Sequence, residues 1–132
     1  MSAAPARNPG RLASTSERGR AGEEAAAAWL AGDGWTVRER NFRVRAGEID
    51  IIATRDGTVA FFEVKSWGAL PASELEHSID RRKQARIARA ARVWLQRHPS
   101  LDGLRPRFDV LFLNRGEPGV NHIADAFSGE VD

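Results

Sequence analysis

Hydrophobic and polar positions in the middle of the chain follow the pattern of two adjacent β-strands. Apolar runs rich in β-branched and aromatic residues lie on either side of the Asp-Gly pair at residues 56–57. An Asp-Gly pair between two such runs is a strong signal for a tight β-hairpin. The pattern therefore predicts a strand over 48–54, a turn, and a second strand over 59–65.

Helical periodicity and further apolar runs predict the remaining elements. An alanine-rich stretch predicts a first helix over 16–31. A second helix is predicted at about 80–97, with Asp80 as its N-cap and His98-Pro99 at its end. The other predicted strands cover residues 35–44, 107–114 and 120–126. This order of elements predicts an α/β fold in which helices pack on a mixed sheet.

Size and composition indicate one domain. The 132 residues, of which 42% are hydrophobic, suffice for a single core. Residues 1–13 are interpreted as a disordered tail, 14–127 as the domain and 128–132 as a C-terminal tail. The chain has no cysteine, which excludes disulfides and thiolate metal sites. No apolar run reaches membrane-spanning length and no secretory signal is visible, so a cytoplasmic location is expected.

Charged side chains interrupt the apolar runs of the predicted hairpin. Because side chains alternate between the faces of a strand, Ile49 and Ile51 are expected on one face and Asp50 on the other. Glu63 and Lys65 share a face of the second strand by the same rule. Carboxylates inside apolar runs are costly to bury unless they are paired or bound to a cation. If the two polar faces coincide, Asp50, Glu63 and Lys65 converge at one end of the hairpin.

Two carboxylates and a lysine in one place suit a metal-dependent reaction. Carboxylate oxygens hold hard divalent ions such as magnesium, and a neighbouring lysine can orient a water or stabilise developing negative charge. The alternative is a solvated strand face with an ion pair, since Glu-x-Lys is common in any sequence. Arginine supplies 18 of the 20 basic residues, leaving only Lys65 and Lys83 as lysines. This bias favours a chemical role for Lys65, because a compact ammonium and a guanidinium are not interchangeable.

Further candidate residues lie on the helices and in a loop. Helical spacing places Glu23 on the core-facing stripe with Leu30, although a first-turn glutamate can instead interact with the helix dipole. Lys83 and Gln84 lie on or next to the apolar stripe of the second helix. Trp67 can stack on a nucleic-acid base or cover the edge of the core. The second helix also has a basic band, which is either a phosphate footprint or a solvated face: Arg82, Arg86, Arg89 and Arg97.

Two histidines outside the second helix, His77 and His122, have no spacing that suggests a metal site with each other. Both are interpreted as structural residues. The sequence contains no internal repeat, no glycine-rich phosphate loop and no Ser/His/Asp arrangement. The carboxylates and lysine of the hairpin therefore remain the main candidates for chemistry.

Several motifs together resemble a known family. The chain resembles the UPF0102 family from about Gly19 to Phe127, at these positions: Gly22-Glu23, Asn41-Phe42-Arg43, Gly47-Glu48-Ile49-Asp50, Phe62-Glu63-Val64-Lys65, Lys83, Arg107-Phe108-Asp109-Val110 and Ala126-Phe127. That family is similar to the PD-(D/E)XK nuclease superfamily, in which the archaeal Holliday-junction resolvases are structural relatives.

The resemblance implies a restriction-endonuclease-like fold with an αβββαβ core and a site for Mg²⁺ or Mn²⁺. It implies that Asp50 and Glu63 are metal ligands and that Lys65 is the catalytic lysine. Glu23 matches the first-helix acid of resolvase-like members, as a catalytic residue and a further metal ligand. The family usually has an arginine at the position of Trp67, so the resemblance does not carry over the phosphate contact of that arginine.

A metal-dependent endonuclease acting on DNA is the first functional expectation. Few base-reading features are evident, which favours selectivity for DNA structure over DNA sequence. The expected nucleic-acid contacts are Lys83, Gln84, Arg82, Arg86, Arg43 and Trp67. A non-catalytic nucleic-acid-binding module of the same fold is the alternative, and a protein-binding role without nucleic acid is a third. No membrane partner is expected, and a homodimer would suit a four-way junction.

Overall fold

The structure, a computed structural model, describes residues 15–66, 79–113 and 119–129. In this part of the chain the helices and strands run in the following order: α1 (Thr15–Gly32), β1 (Thr36–Val44), β2 (Gly47–Arg55), β3 (Thr58–Ser66), α2 (Arg81–Gln96), a 3-10 helix (Pro99–Leu101), β4 (Arg105–Leu113) and β5 (Val120–Phe127). Each predicted helix and strand is present, with bounds within two residues of the prediction.

The strands form one sheet in the order β1-β2-β3-β4-β5. Neighbouring strands are antiparallel except β3 and β4, which are parallel. A parallel pair needs a crossover connection, and α2 lies in the connection between these two strands. The mixed five-stranded sheet with its helices confirms the predicted α/β fold and is compatible with a restriction-endonuclease-like core.

The helices pack on opposite faces of the sheet. Leu30 of α1 belongs to a buried apolar cluster with Ile51 and Phe62. Trp94 of α2 belongs to a second cluster, which includes Phe61. Phe61 and Phe62 are neighbours on β3, so the two clusters lie on the two sides of that strand. Burial of these side chains is the main favourable contribution to folding.

The predicted Asp-Gly turn connects β2 to β3. Arg55 pairs with Thr58 across the turn. Asp56 and Gly57 have positive φ values of 48° and 80°, as a two-residue type I′ turn requires. The turn thereby fixes the register of the hairpin, which directs positions 50 and 63 toward each other.

The side chains of β2 change face at Asp50. Ile49 packs in the cluster on the α2 side together with Ile52, whereas Ile51 packs on the α1 side. The expectation that Ile49 and Ile51 share a face is therefore wrong. The reason is a break in the ladder, because the pairing of β2 with β3 reaches only to Ile51. Beyond it, the Asp50 carboxylate accepts the amide proton of Val64 at 2.8 Å, and the hairpin opens.

Contact between α2 and β2 depends on Gly47. A Cβ at this position would overlap the backbone of Arg86, so only glycine lets the helix approach this closely. The predicted N-cap is confirmed, since Asp80 accepts the amide proton of Lys83 at 2.9 Å. These contacts hold the first turn of α2 beside the open end of the hairpin.

Some predictions concern residues outside the described part of the chain. These are the N-terminal tail over 1–13, the loop residue Trp67, His77, and residues 130–132 of the predicted C-terminal tail. The described residues include no helix that is both long and apolar enough to cross a membrane.

Candidate metal centre

Acidic and basic side chains from three elements meet where β2 and β3 separate. Asp50 comes from β2, Glu63 and Lys65 come from β3, and Lys83 comes from α2. The Nζ atoms of Lys83 and Lys65 lie 2.5 Å and 3.6 Å from the Oε2 atom of Glu63. Charge interactions also connect Asp50 to Glu63. The structure thus brings together three predicted catalytic residues and one residue expected to contact nucleic acid.

Glu63 is the most buried member of this cluster. Only 7% of its side chain is exposed, and a buried carboxylate needs compensating charge. Both lysines of the chain provide that charge. Burial of this kind is incompatible with a solvated strand face, so that alternative does not hold for Glu63.

Asp50 has a strongly perturbed carboxyl group. Burial is the largest cause, and with the negative charge of Glu63 it raises the pKa of Asp50 from 3.8 to about 7. The hydrogen bond from the Val64 amide acts in the opposite direction. A carboxyl whose pKa is raised by partial burial and a neighbouring negative charge is a common feature of functional sites. A divalent cation beside Asp50 would favour its ionised form.

Glu23 of α1 lies near this pair and faces inward, as the helical spacing predicted. It is 9% exposed, and its Oε1 atom has no hydrogen-bond partner in the described part of the chain. Burial raises the pKa of Glu23, and the charges of Arg40 and Arg43 partly oppose this effect. The charge of Glu23 also contributes to the raised pKa of Asp50. A buried acceptor without a donor is costly in a folded protein, and a cation would satisfy it.

The chemistry of these carboxylates fits a hard divalent ion held through two protein ligands. Mg²⁺ is commonly bound by one or two carboxylates, while waters and substrate phosphates complete its coordination. Residues 15–66, 79–113 and 119–129 contain no group of three or more His, Cys, Asp or Glu side chains placed to hold a metal ion. Asp50 and Glu63 are the neighbouring carboxylates that suit such two-ligand binding, and Glu23 as a third direct ligand stays a prediction.

Lys83 lies closer to Glu63 than Lys65 does. Burial lowers the pKa of Lys83, but the hydrogen bond and the charge of Glu63 raise it more, so its pKa lies above the ordinary value. The ammonium is therefore charged at neutral pH and 42% of the side chain is exposed. The helix position of Lys83 predicted a nucleic-acid contact, whereas its contact with Glu63 was not predicted.

Three arginines expected to contact nucleic acid are exposed in the structure. Arg82 and Arg86 lie on the first half of α2, and Arg43 lies on β1. Arg43 also forms an ion pair with Glu48, with the Nε and Oε2 atoms 3.4 Å apart. Their exposed guanidinium groups remain accessible to a phosphate backbone.

Gln84 has a structural contact instead of an open position. Its Nε2 atom donates a hydrogen bond to the Ile79 carbonyl at 2.9 Å, and the side chain is partly buried. This bond secures the chain that enters α2. A nucleic-acid contact of Gln84 stays a prediction.

Asp109 is a buried acid that was not among the predicted site residues. It is fully buried and accepts two hydrogen bonds from Arg107, at 2.9 and 2.8 Å, and one from the Asp125 amide at 3.0 Å. The Nε2 atom of His122 lies 2.7 Å from its Oδ2 atom. Burial raises the pKa of Asp109, but these partners lower it more. Because each oxygen is already satisfied, the group stabilises the β4–β5 pair, which agrees with a structural role for His122.

The comparison with known proteins assigns the family. Residues 22–113 match the model of the Uncharacterised protein family UPF0102. The chain belongs to the UPF0102 family. The matched span contains all four acidic and basic residues of the cluster and Glu23, so the family assignment covers the candidate metal centre.

UPF0102 proteins from several bacteria are similar to nearly the whole chain. One from Myxococcus xanthus is 43% identical over 113 residues, which cover 84% of this chain and 89% of the relative. One from Halorhodospira halophila is 41% identical over 114 residues, with 86% and 89% covered. One from Methylorubrum extorquens is 41% identical over 128 residues, with 96% and 97% covered. The names of these relatives give the family and no activity, so the chemistry of the site is the basis for a function.

Proposed function

We propose that this protein is a metal-dependent phosphodiesterase that cleaves DNA. The observation that supports the proposal best is the convergence of Asp50, Glu63 and Lys65 at the open end of the hairpin. Glu63 is buried there against two ammonium groups, and Asp50 has a pKa of about 7. Perturbed, clustered groups of this kind are typical of sites that carry out chemistry.

The cluster contains the groups that phosphodiester hydrolysis needs. Asp50 and Glu63 would hold Mg²⁺ or Mn²⁺, which when bound polarises the scissile phosphate and lowers the pKa of a coordinated water. The Val64 amide holds the Oδ2 atom of Asp50, which orients this carboxylate. Lys65, with 32% of its side chain exposed, would orient the attacking water or stabilise negative charge on the phosphate oxygens.

Exposed arginines support a nucleic-acid substrate. Arg43, Arg82 and Arg86 come from elements next to the cluster and can contact phosphates without reading bases. Such contacts fix the position of a strand but do not select a sequence. Selectivity for a branched or otherwise unusual DNA structure is therefore part of the proposal.

Cleavage assays on a panel of labelled DNAs test the proposal. Single-stranded, duplex, flap and four-way-junction DNAs would be incubated with the wild type, Glu63→Gln and Lys65→Ala, in Mg²⁺, Mn²⁺ or EDTA. We expect ion-dependent cleavage of at least one DNA and a loss of about 100-fold or more in both variants, since a metal ligand and a transition-state contact are removed.

Asp102→Asn is a suitable control, because it neutralises an exposed acid in the turn before β4. It should cleave like the wild type. DNA binding without cleavage, equal in all four proteins, would contradict the proposal and support a non-catalytic DNA-binding module.

A further inference from the structure

Both lysines of the chain contact the same oxygen of Glu63. Arginine is otherwise the dominant basic residue of the chain. An ammonium is a compact charge with three hydrogen-bond donors on a flexible stem. A divalent ion held by Glu63 would use the same carboxylate that receives these contacts. The lysines and an ion would therefore compete for the negative charge of Glu63.

The shorter of the two contacts comes from a side chain that is able to move. The backbone of Lys83 is fixed, because its amide donates to Asp80 at 2.9 Å and the contact of Gly47 with Arg86 holds the same helix on β2. Its side chain, by contrast, is 42% exposed. The ammonium can leave Glu63 by rotation of the four-carbon stem while α2 stays in place.

Charge explains why Lys83 contacts Glu63 and why this contact would break when an ion binds. Glu63 is 7% exposed, and a buried carboxylate without a partner is strongly destabilising. Lys83 removes this cost as long as the protein binds no divalent ion. An ion beside the same oxygen would provide the compensating charge itself and would repel the ammonium.

We propose that Lys83 is an internal counter-ion of Glu63. Divalent-ion binding displaces the Lys83 ammonium from Glu63, and the released ammonium then contacts a phosphate of the substrate. The inference rests on the proposed function, since it assigns a regulatory contact within that site. In the free protein, the contact of Lys83 with Glu63 makes ion binding weaker than Asp50 and Glu63 alone would allow. By linkage, any anion that takes the released ammonium strengthens ion binding.

Titration with Mn²⁺ in the absence of nucleic acid tests this exchange. Free Mn²⁺ would be followed by electron paramagnetic resonance for the full-length wild type, Lys83→Gln, Lys83→Arg and Glu63→Gln. We expect Lys83→Gln to bind Mn²⁺ about fivefold or more tightly than the wild type, because no ammonium has to be displaced. Lys83→Arg keeps the charge and should bind like the wild type or more weakly.

Arg92→Gln is the matched control, because it removes one positive charge from an exposed position of the same helix. Its Mn²⁺ affinity should stay within twofold of the wild type.

Thermal unfolding provides a second measurement, which reports on the stability of the fold. In EDTA, Lys83→Gln should melt below the wild type, and saturating Mn²⁺ should raise its melting temperature by more than that of the wild type.

The outcomes separate this inference from the proposed function. Equal or weaker Mn²⁺ binding by Lys83→Gln would overturn the inference and leave the ion site intact. An equal gain in affinity for Arg92→Gln would also overturn it, since the effect would then be general electrostatics. Absence of Mn²⁺ binding in the wild type, or binding that Glu63→Gln does not weaken, would overturn both the inference and the metal site of the proposed function.

Discussion

At the scale of single residues, Asp50 connects the fold to the proposed chemistry. Its carboxylate accepts the Val64 amide proton, and the regular pairing of β2 and β3 ends beside it. Burial and the negative charge of Glu63 raise the pKa of Asp50 to about 7, although this hydrogen bond acts in the opposite direction. We therefore expect ionisation of Asp50 to lower the stability of the metal-free protein, and a bound cation would offset this effect.

Asp50→Asn should stabilise the metal-free protein at high pH. The folded-state pKa of about 7 lies above the ordinary value of 3.8, so ionisation of Asp50 opposes folding. The contribution of Asp50 to the free energy of unfolding is most favourable below about pH 4, decreases as the pH rises toward 7, and stays low above pH 7. We expect Asn to raise the free energy of unfolding by roughly 2–4 kcal/mol at pH 8 in EDTA, and by much less at pH 5.

Urea unfolding at the two pH values measures this effect. Asp56→Asn makes the same chemical change at an exposed turn position where asparagine is well tolerated. Its unfolding free energy should stay within about 0.5 kcal/mol of the wild type at both pH values. An equal effect of both substitutions, or lower stability of Asp50→Asn at pH 8, would contradict the assignment of Asp50 as a destabilising, partly buried acid.

The convergence of Asp50, Glu63 and Lys65 could be predicted from the sequence because it depends on local rules. An Asp-Gly turn fixes the register, and alternation along β3 places Glu63 and Lys65 together. The face of Ile49 could not be predicted in this way, since it depends on a side-chain hydrogen bond to a residue 14 positions away. The contact of Lys83 with Glu63 depends in turn on where α2 packs.

At the scale of elements, Gly47 determines where α2 packs. The backbone of Arg86 occupies the space that a side chain at position 47 would need. The helix can therefore rest on β2, and its first turn places Lys83 at Glu63. A glycine in the motif Gly-Glu-Ile-Asp was visible in the sequence, but its partner on α2 was not. Contacts between distant elements are the part of the site that local patterns do not encode.

Gly47→Ala should disrupt this packing. The overlap is with backbone atoms, which cannot rotate away as a side chain would, so we expect a loss of about 3 kcal/mol or more. Gly103→Ala is the control, because a Cβ there meets no atom within 4 Å and the residue has no positive φ. It should change the unfolding free energy by less than about 1 kcal/mol. Similar stability of the two variants in urea would contradict the close contact of α2 with β2.

At the scale of the whole molecule, the structural acid Asp109 and the proposed metal ligands Asp50 and Glu63 belong to different parts of the sheet. Asp109 and His122 join β4 to β5, and each oxygen of Asp109 has a partner. The cluster around Glu63 lies where β2 and β3 separate, with exposed arginines on the adjoining elements. The order of helices and strands could be predicted from the sequence, because periodicity and turn signals are local. The Asp109 network could not, because it depends on the register between β4 and β5.

DNA binding should depend on salt through the arginines near the cluster. Each phosphate contact contributes about −0.9 to the slope of log K against log salt concentration. We expect the double variant Arg82→Gln/Arg86→Gln to reduce the magnitude of that slope by about 1–2 in a fluorescence-anisotropy titration. Arg105→Gln alters an exposed arginine that pairs with Thr58 at the turn end of β3, and it should leave the slope unchanged. Equal slopes in all proteins would argue against a phosphate footprint on α2.

The proposed site for a divalent ion between Asp50 and Glu63 is tested most directly by anomalous X-ray scattering from crystals grown with Mn²⁺. We expect an anomalous peak within coordination distance of carboxylate oxygens of both residues, and its loss in Glu63→Gln crystals. The same crystals would show whether Glu23 is a third ligand. A fully ordered cluster without a peak, at a Mn²⁺ concentration that saturates binding in solution, would contradict the metal site on which the proposed function depends.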